Sequence, residues 1–326
     1  PYLIHPNREH RPLPVAVVKA RPIQAQRRVE VLLVFKVLFF VPPTPMRAEQ
    51  IPTLATFWIR RIFSSRHGVL FLVFFGLFHA LTALWMVMLA DNLSAMGDTV
   101  GIEDMTFVYD LLASGAEMDR ETVEAVMTRH PPLLLALFSI AIFALPWLCI
   151  FGTFDQMASD ISNRHSRFLL IRSDRATLFV GNAVGAIGFI ALCEAVGLGV
   201  LAATLASKGA LGGAAGALYL LRMWLCLVVY SVPFVALTAA TSVLTGRPLW
   251  SLACSLGFWF SVVIASFIGG LIEDWATNIS YLMPTHGKYA LLSDNPGDLG
   301  ILLAHLVALS ALYFGSGYLV LRRRNV

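Results

Sequence analysis

The sequence predicts an all-α, polytopic membrane protein with six transmembrane helices, both termini cytoplasmic and an interfacial N-terminal helix. Three observations carry this. Hydrophobic residues make up 57% of the 326-residue chain and charged residues 13%, against roughly 25% charged in soluble domains. Mean hydropathy is +0.73. Six apolar runs reach or exceed the ~20 residues that cross a bilayer as a helix, and the loops between them alternate in charge.

Residues 1–48 form a basic, proline-rich arm. Positions 1–45 hold seven Lys/Arg and two Asp/Glu, and the remainder holds 17 and 18, so the net charge of +4 divides into +5 and −1. The basic balance is therefore local and does not point to nucleic acid. The arm's one apolar run, Val31–Val41, is interrupted by Lys36 and too short to span. The arm is expected to be disordered or non-native, with translation starting at Met46.

Residues 49–326 form the membrane domain. Ile51, Leu54, Phe57, Trp58 and Ile62 recur at helical spacing beside Arg60, Arg61 and Arg66. This predicts an amphipathic helix at the interface, with its aromatics in lipid. The spans follow at about Val69–Ala90, Pro132–Phe154, Leu178–Ala206, Ala214–Ala240, Leu249–Ile272 and Leu299–Leu321. Pro146 and Pro233 are candidate kinks.

Loop charge sets the orientation. Arg60, Arg61 and Arg66 precede span 1. Arg164, Arg167, Arg172 and Arg175 lie between spans 2 and 3, Arg247 lies between spans 4 and 5, and Arg322–Arg324 follow span 6. Six spans put all of these on one side, the cytoplasm by the positive-inside rule. The outer loop 91–131 carries nine acidic residues and two arginines, with an expected capped helix at Asp119–Thr128. A second outer loop covers 273–298.

Several chemistries are absent from the sequence. It has no GxxxxGK[ST] phosphate loop and no HExxH. Cys149, Cys193, Cys226 and Cys254 lie in the spans without metal or disulfide spacing, as core-packing residues. Gly315-Ser316-Gly317 lacks the preceding glycine and following histidine of an intramembrane serine protease. Small-residue rows at Gly181, Gly185 and Gly188, and at Gly209–Gly216, suit close helix packing within a bundle or between subunits.

Two ionisable residues fall inside spans, Glu194 and Arg222. From the outer ends they lie about 18 and 12 Å deep at ~1.5 Å per residue. Each costs roughly 3 kcal/mol or more. They are expected either to form an ion pair joining spans 3 and 4 or to mark a polar patch on a substrate path.

The charged segment Phe154–Asn182 carries a resemblance. Asp160, the pair Leu169-Leu170, Arg175 and Gly181 fall at matching places in a pattern of acidic residue, Gly-Thr, Leu-Leu, Pro-x-x-Arg and Gly-Lys. With the six-span layout, this resembles the permease subunits of ABC-2 type exporters, from about Ile51 to the end. The Gly-Thr is replaced around Arg164-His165, the proline is missing near Ser173, and the lysine is Asn182.

The resemblance implies a bacterial inner-membrane subunit without its own ATPase site. A separate cytoplasmic ATPase would carry ATP and Mg and dock on the loop 155–177. A second permease subunit, identical or not, would complete the path among membrane lipids. Asp155, Asp160, Arg164, Arg167, Leu169, Leu170, Arg172, Asp174 and Arg175 are the candidate coupling residues. A topological, headgroup-binding role for those arginines, a secondary transporter and a non-transporting scaffold or assembly protein are the competing expectations.

Overall fold

In the computed structural model the described residues are 47–97, 132–209, 211, 213–272, 279–292 and 296–324. They belong to a single unit, Met46–Val326. The arm, the expected helix at Asp119–Thr128 and most of the loop 91–131 lie outside the described residues.

Every regular element described is helical. After a short 3₁₀ turn, α1 covers Ile51–Ser64 and α2 covers Arg66–Gly97. They are followed by α3 (Pro132–Thr153), the short α4 (Ala158–Ser162) and α5 (His165–Arg172), then α6 (Arg175–Ser207) and α7 (Gly213–Thr245). Next come α8 (Pro248–Ile272), a 3₁₀ turn at Lys288–Leu292 and α9 (Pro296–Arg323). Six of these helices are long and apolar enough to cross a membrane: α2, α3, α6, α7, α8 and α9. The protein is thus an all-α, multi-pass membrane protein.

Helix α7 is the centre of the bundle, packing against α3, α6, α8 and α9. Its Tyr230, Phe234, Val235 and Ala236 are fully buried. Pro233 and Pro146 sit inside helices that continue through them. Helix α8 is peripheral and leaves Trp250, Ile264 and Phe267 exposed, as a lipid-facing helix does.

Glycine sets two of the closest approaches. A Cβ at Gly317 of α9 would come within 2.9 Å of the Ala240 Cα on α7. In Gly315-Ser316-Gly317, then, the last glycine is a packing residue. The Ser316 hydroxyl donates to its own helix at Tyr313 O, 2.8 Å away.

The second approach refines the reading of the first helix. The amphipathic α1 packs across the start of α6, and of the aromatics expected in lipid Trp58 turns inward. A Cβ at Gly181 would meet Leu54 at 2.6 Å, and one at Gly185 would meet the Ala55 carbonyl at 3.0 Å. The glycine row therefore serves a contact inside one chain. Trp58 faces inward at 4% exposure while its neighbour Phe57 is 53% exposed. Ser65 ends α1 and starts α2: its hydroxyl donates to Ile62 O and accepts from the Gly68 N–H at 3.0 Å.

Candidate functional site

The arginine-rich segments converge on one end of the bundle. The chain leaves α3 through a bend at Phe154–Met157 that is bonded to three neighbours. The Gln156 amide donates to Val235 O at 3.0 Å and to Thr238 Oγ1 at 2.9 Å, both on α7. Thr153 shares a 2.8 Å hydrogen bond with Thr238. The Gln156 carbonyl accepts from the Trp58 indole N–H of α1 at 3.2 Å and from Asn182 of α6 at 3.5 Å. All these groups are buried, so the bend is tied to α1, α6 and α7 at once.

Two of the charged candidates, Asp160 and Arg175, are tied to other helices, and Asp155 is bonded locally. Asp160 is 3% exposed and accepts from the Arg61 guanidinium of α1, whose other nitrogen donates to Ser159 Oγ at 2.8 Å. Asp155 accepts from the Ser159 N–H at 2.8 Å. Arg175 donates to the last carbonyls of α9, at Leu321 O and Arg322 O (3.3 and 2.6 Å). Arg324 does the same for α7 at Val243 O and Leu244 O. Basic side chains thus satisfy carbonyls that helix C-termini leave open. Asp160 and Arg175 thus tie the segment to α1 and α9.

Asp174 is the N-cap of α6. Its carboxylate accepts from the Thr177 N–H at 2.8 Å and from the Thr177 hydroxyl. Burial pushes this carboxyl up, but the bonds from Thr177 and from the Arg47 N–H outweigh it and hold it below its usual range.

What the segment presents to solvent is α5. Arg164 precedes it in the left-handed conformation at φ +59°. That conformation costs a non-glycine residue roughly 1 kcal/mol or more. Leu169 and Leu170 are half-buried and pack on Met157, Leu178, Phe179, Val243 and Leu321. Phe168 and Ile171 point away, at 69% and 78% exposure. The sequence offers Phe168, Leu169, Leu170 and Ile171 together as one apolar knob; the fold divides it, turning the leucines inward and leaving Phe168 and Ile171 outward. The side chains of Arg167 and Arg172 lie outside the described set.

In the middle of the bundle Glu194 does not pair with Arg222. Its carboxylate faces the His79 imidazole of α2, with Oε2 3.8 Å from Nε2. Arg222 engages Cys226, one turn along its own helix. Spans 3 and 4 do neighbour each other, but no ion pair joins these two side chains. His79 was missed because a lone histidine in an apolar run carries no spacing signal. The faint signal was Gly197: a Cβ there would fall 2.7 Å from the imidazole.

Compared with known proteins, the chain matches no family model and no curated protein.

Proposed function

We propose that this chain is the membrane-spanning permease subunit of an ABC-type exporter, driven by a separate cytoplasmic ATPase that docks on α5. One observation carries the reading. The loop between spans 2 and 3 has Asp155, Asp160, Asp174 and Arg175 bonded within the chain, yet it holds out Phe168 and Ile171 on a short helix beyond the spans. Two adjacent exposed apolar side chains there suit a partner's cleft.

The ties behind α5 suit transmission. Force on α5 reaches the bend through α4, the Arg61–Asp160 bridge passes it to α1, and Gln156 passes it to α7. Rigid-body motion of packed helices follows from such links. The left-handed Arg164 stands where the resembling family has glycine, the residue that adopts this conformation most easily. Gly181, the glycine at the family's span-3 position, is required by the approach of Leu54.

In this reading the arginine-bearing end faces the cytoplasm of a bacterial inner membrane. ATP and Mg belong to the partner, and a second permease subunit completes the path. The chain itself performs no catalysis. The test is copurification with the ATPase encoded by a neighbouring gene, from membranes co-expressing both. Phe168→Ser/Ile171→Ser should abolish recovery of the ATPase while the permease stays monodisperse. Recovery equal to wild type, or no ATPase bound to wild type, overturns the reading in favour of a secondary transporter or scaffold.

A further inference from the structure

We propose that His79 and Glu194 form an intramembrane proton-binding site in which one proton, resident on the carboxyl, joins α2 to α6. The inference stands apart from ATPase docking and rests on geometry.

Both groups are buried, His79 at 5% exposure and Glu194 at 1%. His79 Nδ1 lies 3.0 Å from the Phe75 carbonyl one turn back. A carbonyl only accepts, so Nδ1 carries the ring hydrogen and Nε2 of the neutral ring presents a lone pair. That lone pair faces Oε2 at 3.8 Å, and neither atom has a hydrogen-bond partner. Two buried acceptors facing each other are mutually unsatisfied. A single proton between them satisfies both, with closure of about 1 Å to reach O–H···N distance.

Charge counting gives the same occupancy. Without the proton the pair carries −1, and with a second proton it carries +1. Either is a bare charge in an apolar interior, which is far costlier than the neutral state. No Lys or Arg among the described residues lies within ion-pair distance of Glu194. The titratable groups near it are the Cys149 thiol of α3 and the Cys193 thiol of α6. Within the neutral state, a low dielectric favours carboxylic acid plus imidazole over imidazolium plus carboxylate.

The surroundings hold the ring in place. The imidazole stacks on Phe75 at 4.7 Å and takes the edge of Phe78 at 5.4 Å. Beside it is a cavity of about 10 Å³ whose lining, apart from His79 and Thr82, is apolar, including Phe78, Leu137 and Leu201. Removing the proton leaves an unpaired carboxylate between α2 and α6, so proton release and separation of these helices are linked.

Infrared spectroscopy on the full chain in lipid nanodiscs tests this through the C=O stretch of a protonated carboxyl, which shifts in D₂O. Wild type at neutral pH should show a band that Glu194→Gln removes. His79→Phe, or His79→Gln where the first does not fold, should raise its frequency because the acid loses its acceptor. Glu194→Gln, which mimics the neutral acid, should fold and melt close to wild type. Identical spectra for wild type and Glu194→Gln overturn the proposal. So does a band indifferent to both His79 substitutions, or failure of Glu194→Gln to fold.

Discussion

Truncating Trp58 separates two accounts of α1. In one it is a helix floating in the headgroup region with its aromatics in lipid; in the other it is a part of the folded bundle. The structure decides the size of the effect. Trp58 is 4% exposed and packs edge-on to Phe189 at 6.2 Å between ring centroids. Its indole N–H donates to the Gln156 carbonyl at 3.2 Å. Trp58→Ala removes the whole buried ring and should cost about 3–5 kcal/mol, roughly two to three and a half powers of ten in the folding equilibrium. Trp58→Phe keeps most of the ring and removes only the donor, for about 0.5–1.5 kcal/mol. Phe57→Ala, one residue away and 53% exposed, should change stability by no more than about 0.5 kcal/mol. Thermal unfolding in detergent, read as the loss of the monodisperse size-exclusion peak, ranks the three variants. If Phe57→Ala costs as much as Trp58→Ala, the docked α1 is wrong.

The Arg61–Asp160 bridge is asymmetric in burial, with side chains 39% and 5% exposed. Arg61→Met strands a buried carboxylate and should cost about 1–3 kcal/mol, whereas Asp160→Ala leaves a guanidinium that water can reach and should cost less; paired melts check the order. Asp174→Ala should cost about 1 kcal/mol as a lost N-cap. Because the folded-state pKa of Asp174 is lowered, its contribution is present above the unfolded value of about 3.9 and fades as pH falls through the folded value. A wild-type-minus-Ala stability difference that grows on acidification would contradict this sign. Gly317→Val should destabilise by about 1–3 kcal/mol by forcing α9 from α7, while Gly257→Ala, with open space at its Cβ, should be neutral or stabilise by up to about 1 kcal/mol; equal melting temperatures would refute the close-approach argument.

Gly181 and Gly185 illustrate how far local pattern reaches. Their spacing announces a close helix contact, but a period of four says nothing about which helix arrives. That helix is α1, because its Leu54, Ala55 and Trp58 form the complementary ridge. The same holds for the charged loop. Arginine excess marks its side of the membrane, yet whether an arginine meets a partner, a lipid or a helix end depends on what folds beside it. Arg175 reaches α9, 146 residues away in sequence, and no short-range pattern encodes that.

Six spans, their approximate ends and the grouping of the arginine-bearing segments were written in the sequence alone. Hydrophobic length and charge are properties of consecutive residues, and a bilayer responds to them span by span. Tertiary structure decided that Trp58 of α1 is a core residue, that Asp160 and Arg175 are ties, and that of the four apolar residues on α5 Phe168 and Ile171 face outward while the leucines turn in. It also decided that Glu194 faces His79 rather than Arg222. Each of these turns on the rotation and crossing of one helix against another, set by side-chain shape across the contact. A helix displays every sector of its surface to the sequence reader equally, and only its neighbours choose among them.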